Sequence, residues 1–329
     1  MKILRNIFIY SLLSTFVLVG CKGKDGKHNE GDITIKRFEQ VMFETPTDKL
    51  PDALRAFSNE FKSPLLNIYP DNMQYMAQLY DFIADSTVRD IYRITNGKYA
   101  NLYWLESELT DALKKAREIN DEIEYNWFST FISCNFDYTQ RIIAPRETKS
   151  VLINIDQYAL GEMEKYNYFL TPMYIVEMSD SAYLASDIMA EIARQYTAMP
   201  DEDNVTMLDL MIAEGKVLYF LDQVMPKKDD CVKIRYSKEQ MDWVKAHESN
   251  VWAYFIQNNL LYEKDFSRYH NFIDEAPKTN AFKDSAPRTT HYIGWQIVRK
   301  YMENSKSTIK ELFENTDSQN ILQVSKYKP

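Results

Sequence analysis

The sequence predicts a mainly α-helical single globular domain with a small β element, an α+β fold. Three observations carry this. Long stretches alternate polar and apolar residues at helical spacing, whereas β-branched residues cluster in short runs, two of them notable. Glycine is scarce, eight in 329 residues, and scattered. Neither the P-loop nor the dinucleotide-binding glycine pattern occurs.

In chain order, "DITIKRF" (32–38) is the first strand candidate and "SVLINIDQY" (150–158) the second. "LPDALRAFSNEF" (50–61), "DNMQYMAQLYDFI" (71–83) and "ANLYWLESELTDALKKAREI" (100–119) read as amphipathic helices. "SDSAYLASDIMAEIARQY" (179–196) opens on N-cap residues and continues at helical spacing. The next helix starts near Asn204 or Thr206 and stops before Pro226. Ser237, with Glu239 and Gln240 behind it, caps a helix reaching residue 257. "HYIGWQIVRKYM" (291–302) places Gly294, Ile297, Val298 and Tyr301 on one face, where Gly294 permits close helix contact. No internal repeat is visible.

The N-terminal residues predict an exported, lipid-anchored protein. Lys2 and Arg5 precede an apolar run, Ile7 to Val19, too short to span a bilayer. Leu18, Val19, Gly20 and Cys21 follow as a lipobox. Residues 1–20 are thus expected to be a lipoprotein signal peptide, with Cys21 the lipid attachment site. Diacylglycerol on its sulfur plus an amide-linked acyl chain anchor stably, at about 0.8 kcal/mol per buried methylene. Residues 21–32, with three glycines in "KGKDGKHNEGD", read as a flexible tether to the domain at 33–329. Lipid anchorage to the cell membrane or outer membrane, facing the periplasm, is the expected location.

Charge excludes one class of partner. The net charge of −9 becomes more negative once Lys2 and Arg5 leave with the leader, so nucleic acid is not an expected ligand. After Cys21, only Cys134 and Cys231 remain. In an oxidising compartment they are a candidate disulfide.

Metal and acid–base chemistry turn on a few residues. The four histidines, His28, His247, His270 and His291, include no H-E-x-x-H pair; in "HESNV" Val251 stands where the second histidine belongs. His247 is therefore expected to be hydrogen-bonded packing. Glu214 lies amid an apolar stripe of Met207, Met211, Leu218, Leu221 and Met225, where a carboxylate needs a cation, a metal or a proton. Asp187 and Glu191 share a face of the preceding helix, and the three carboxylates converge if the two helices pack. Such a trio either holds a hard cation through oxygen or is neutralised by basic side chains, as Arg194 three residues after Glu191 suggests. No G-x-S-x-G or Cys–His arrangement supports nucleophilic catalysis.

Several blocks in order resemble the gliding-motility lipoprotein B (GldB) family of Bacteroidetes. They are "DITIKRFEQVMF", "SVLINIDQYALG", "MIAEGKVLYFLDQVMP", "YSKEQMDWVKAHESNVWAYFIQNNLLYEKD", "APRTTHYIGWQIVRKYM" and the terminal "SKYKP". The resemblance implies an envelope lipoprotein associated with gliding or surface machinery, and it assigns no activity. "DST" at 85–87 and "DSA" at 180–182 and 284–286 also look like O-glycosylation sites of Bacteroidetes exported proteins, although Asp-Ser before a helix is equally a cap. More loosely, the family is similar to predicted zinc peptidases that carry H-E-x-x-H and, on the next helix, a Glu-Gly ligand segment. Matched by position, Asp187 and Glu191 stand near the missing histidines and Glu214-Gly215 matches the Glu-Gly. That likeness implies an inactive zinc-peptidase-like core in which Glu214 is a leftover ligand position, held by a protein cation.

The expected function is therefore a non-catalytic envelope protein, without cofactor, held to the membrane by its lipid and acting through envelope protein partners. Two alternatives stay open: a metal-assisted hydrolase using Asp187, Glu191 and Glu214, and a ligand-binding lipoprotein with an aromatic-lined pocket.

Overall fold

Four short strands make the only sheet among the described residues. In the computed structural model these residues are 32–135, 138–163, 171–200 and 204–329. Leu18, Gly20, Cys21 and nearly all of the tether lie outside them. Residues 33–329 form one compact unit. The strands are β1 (Ile35–Arg37), β2 (Trp127–Phe131), β3 (Ile142–Ile143) and β4 (Ser150–Asn154), ordered β1-β2-β4-β3. β2 pairs in parallel with β1 and β4, Phe128 opposite both Ile35 and Val151, while β3 runs antiparallel to β4.

Parallel strands need cover on both faces, and β4 shows how it is supplied. Its residues are all buried, and alternate side chains go to opposite faces. Val151 and Ile153 enter the main core, while Leu152 joins a smaller cluster with Phe38, Leu54 and Phe57. That second cluster is built by helices inserted between β1 and β2: α1 (Phe38–Glu44), α2 (Leu50–Glu60) and α3 (Met73–Ala84). α4 (Ser86–Lys98) and α5 (Tyr103–Ile119) complete the crossover and give their apolar faces to the main core.

The two strand candidates are present but shorter. β1 stops at Arg37 because Phe38 already begins α1, its ring 5.1 Å from Phe57. After Asn154 the chain winds into a 3-10 turn, Ile155–Tyr158. β2 carries no pattern to read: Ser129 and Thr130 are fully buried in its middle, so no apolar alternation marks it.

The second half of the chain is helical: α6 (Met173–Glu177), α7 (Ser181–Arg194), α8 (Met207–Val224), α9 (Asp230–Ile234), α10 (Lys238–Gln257), α11 (Thr289–Asn304), α12 (Ile309–Glu314) and α13 (Ser318–Ser325). The expected caps operate. Thr206 with Asp209 and Ser237 with Gln240 form reciprocal capping boxes. Two of the Asp-Ser tripeptides are caps as well, since Asp85 and Asp180 accept backbone N–H bonds at the starts of α4 and α7. No described helix is long and apolar enough to cross a membrane.

At the centre, α8 crosses α11 at a separation only glycine allows. A Cβ built on Gly215 would lie 2.3 Å from the Gly294 carbonyl oxygen, and one on Gly294 would lie 1.9 Å from that of Met211. The expected close contact at Gly294 is therefore matched by a second glycine on the partner helix.

Candidate functional site

Four segments converge around a cavity of about 210 Å³ beside this crossing. α7 supplies Asp187, Glu191 and Arg194, and α8 supplies Glu214. Arg235 follows α9, and Arg288 precedes His291 at the start of α11. Arg141 beside β3, Tyr158 after β4 and Glu275 close the wall. Arg235 and Arg288 both take left-handed backbone, at φ 58° and 45°, which lets each chain end turn sharply towards the cavity.

Asp187, Glu191 and Glu214 thus share one cavity, as the packing of their helices would require, but each is already engaged. Arg194 binds Glu214 through two parallel bonds, Nε to Oε1 at 2.9 Å and Nη2 to Oε2 at 3.0 Å. The same guanidinium reaches Glu191 through Nη1 at 3.4 Å, and Gln195 donates to the other Glu191 oxygen at 3.0 Å. Asp187 accepts from Arg235 and, at 2.8 Å, from the Tyr158 hydroxyl. The cation that Glu214 needs is therefore Arg194. Among the described residues, no three His, Cys, Asp or Glu side chains are grouped to hold a metal ion.

The electrostatics follow from enclosure. Burial pushes the Glu214 carboxyl upward, but Arg194 outweighs it and leaves the group at about 2. What exposure Glu214 keeps, 22% of its side chain, is within a cavity walled by protein. His291, with Nδ1 4.0 Å from Glu214, is lowered to about 4 by burial, which Glu214 only partly opposes, so the imidazole is neutral near pH 7. Glu275 meets burial too, yet the neighbouring Arg141, Arg288 and Arg235 hold its carboxyl below the usual range. Lys233 belongs to a separate network, bonding Asp222 at 2.8 Å and Asp230 at 3.1 Å.

The remaining candidates are placed away from chemistry. His247 hydrogen-bonds the Trp243 carbonyl at 2.8 Å and stacks on its indole, which is the packing role expected of it. Glu248 accepts hydroxyls from Tyr292 and Tyr327, tying the terminal segment to α10. Cys134 and Cys231 are free thiols, so the candidate disulfide is not formed in this structure. Burial raises both thiols, that of Cys231 to about 11, which leaves neither activated as a nucleophile. Sequence reasoning missed Arg141, Tyr158, Arg235, Glu275 and Arg288, because nothing local marks residues that meet only through the fold. Of the residues lining this cavity, Tyr158 is the one Phe, Tyr or Trp, so it is not the aromatic-lined pocket expected of a ligand-binding lipoprotein.

Fold and site together define a mainly helical α+β domain with a central cavity whose acids are matched by arginines. A family model described as gliding motility protein GldB, a lipoprotein family, matches residues 22–329. The chain belongs to that family and so falls among the gliding-motility lipoproteins. No curated protein and no solved structure matches it.

Proposed function

We propose that the protein is a non-catalytic component of the cell envelope, lipid-anchored through Cys21, that supports gliding or surface-machinery assembly through contacts with other proteins. The observation that carries the non-catalytic reading is Arg194. It bridges Glu191 and Glu214 and engages the carboxylate oxygens that a metal ion or an acid–base pair would use. A carboxylate locked in a bidentate guanidinium pair, with its pKa held far below neutrality, is a poor general base.

The test is replacement of the acids in cells that lack the endogenous gene. Asp187→Asn, Glu191→Gln and Glu214→Gln should each restore motility wherever protein levels match wild type. A variant that accumulates normally yet abolishes motility would point to carboxylate chemistry instead. Cys21→Ala should leave the membrane fraction, and its retention there would remove the anchoring claim.

A metal-assisted hydrolase is the second reading, and it draws on the convergence of Asp187, Glu191 and Glu214 on one cavity. Stoichiometric metal in protein purified without affinity metals, lost in Glu214→Ala, would move the assignment there.

A further inference from the structure

The cavity has an inner and an outer chamber of different character. The outer one, about 520 Å³, shares Arg194, Glu214, Val217, Glu275, Arg288 and His291 with the inner. Aliphatic side chains dominate the rest of its wall, among them Leu210, Ala213, Ile273 and the rim residue Met199, which is 39% exposed.

The arginines and carboxylates of the inner chamber balance in number but not in pairing. On the side away from Arg194, three guanidiniums face two carboxylates. Arg235 is committed to Asp187. Glu275 is held only loosely by Arg141, at 3.4 and 3.5 Å, while Arg288 and Arg235 also bear on it. Arg288 forms no ion pair with a described residue; its Nη2 donates to the Ile234 and Arg235 carbonyls at 2.9 and 3.1 Å. The Nε atoms of Arg141, Arg235 and Arg288 are all buried without a hydrogen-bond partner among the described residues. Arg141 and Arg235 at least have carboxylate partners, whereas Arg288 has none among the described residues, and an unpaired buried charge is costly. Over the whole lining four arginines and four carboxylates balance, so the feature that suits a monoanion better than a dianionic phosphate is the single guanidinium without an ion pair to a described residue, Arg288.

We propose that this cavity receives the C-terminal segment of a partner polypeptide, with the terminal carboxylate at Arg288 and the last apolar side chains in the outer chamber. A peptide fits the outer wall better than an acyl chain. Thr197, Asp274 and Glu214 line it too, and they offer acceptors to backbone N–H groups that a hydrocarbon would bury unpaired. The inference rests on the reading of the protein as one that works through protein contacts, and it names the site of one such contact.

The test uses the full chain in detergent and three probes by calorimetry: acetyl-Ala-Leu-Phe with a free carboxylate, its C-terminal amide, and octanoate. The free acid should bind at least about tenfold more tightly than the amide, the preference expected of a charge-assisted contact. Arg288→Gln should reduce that preference to less than about threefold while sparing amide binding. Because Arg288 also braces two carbonyls, Met199→Glu at the exposed rim is the second variant. It should weaken the acid several-fold without changing the melting temperature. Equal affinity for acid and amide, no binding of either, or binding of octanoate alone would overturn the proposal. If motility survives in the acid-to-amide variants at Asp187, Glu191 and Glu214 while these peptides fail, the peptide site falls and the non-catalytic reading stands.

Discussion

Gly215 and Gly294 meet backbone to backbone where α8 crosses α11, and this contact sets the distance between the residues beside them. Glu214 immediately precedes one glycine and His291 lies one turn before the other, which puts their side chains 4.0 Å apart on the cavity wall. This close crossing thus holds Glu214 and His291 side by side on the cavity wall.

Gly215→Ala and Gly294→Ala should each destabilise the fold by about 3 kcal/mol, the upper part of the range for overpacking, because the obstructing atoms are backbone and cannot rotate away. Urea unfolding monitored by circular dichroism measures this. A loss below about 1 kcal/mol would mean the helices separate easily, and the crossing would not be the constraint described.

Arg194 and Glu214 should prove strongly coupled. Arg194→Met leaves Glu214 enclosed without its partner and should cost about 2 kcal/mol, discounted for the part of the guanidinium that remains accessible. Glu214→Gln should cost about the same. The double variant should cost clearly less than the two singles together, with about 1 kcal/mol or more of coupling. Additive losses in a double-mutant cycle would show that the pair is incidental.

The parts of this site that sequence revealed are those governed by local spacing. Thr206 and Ser237 announce their helices through capping chemistry, and Pro226 marks where α8 must stop, so helix positions were legible. Glu214 stood out because a carboxylate interrupted an apolar stripe, and that stripe is buried at Met207, Met211, Leu218 and Leu221. What could not be read was who answers it. Arg194 was visible only as a neighbour of Glu191, yet its stronger partner is 20 residues away on another helix. Arg235 reaches Asp187 across 48 residues and Arg141 reaches Glu275 across 134. No periodicity encodes such pairs. β2 was invisible for a different reason: its buried centre is Ser129 and Thr130, satisfied by hydrogen bonds rather than by apolar contact.

His291 and Glu214 should each withdraw stability on acidification, in successive pH windows. His291 titrates near 4 in the fold against an ordinary 6.5, so the unfolded chain binds more protons between those values and stability falls as pH drops through that window. Glu214, held at about 2 against an ordinary 4.5, adds a further loss as pH falls below 4.5. His291→Gln should flatten the upper stage while keeping the lower one. Denaturation midpoints from about pH 2 to 8 check this, and an unchanged slope above pH 4.5 in the variant would refute the role given to His291.

Lys216 should contribute stability that grows as the solution becomes alkaline. Its side chain is buried within α8, 2% exposed, and its Nζ donates to the Asn315 carbonyl at 2.6 Å, just past the end of α12. Burial lowers its pKa from 10.5 to about 8, opposed only in part by Asp209. The unfolded chain therefore holds a proton that the fold gives up between about pH 8 and 10.5, and stability rises with pH across that interval. At pH 7 the ammonium is retained at a cost of about 3 kcal/mol relative to water. Lys216→Met relieves that cost but strips the Asn315 carbonyl of its donor, a loss of about 1 kcal/mol. The variant should gain about 2 kcal/mol at pH 7, and that advantage over wild type should disappear by pH 10. Chemical denaturation at pH 7 and pH 10 measures both. A variant less stable than wild type at pH 7 would mean that the bond to Asn315 outweighs the burial of the charge.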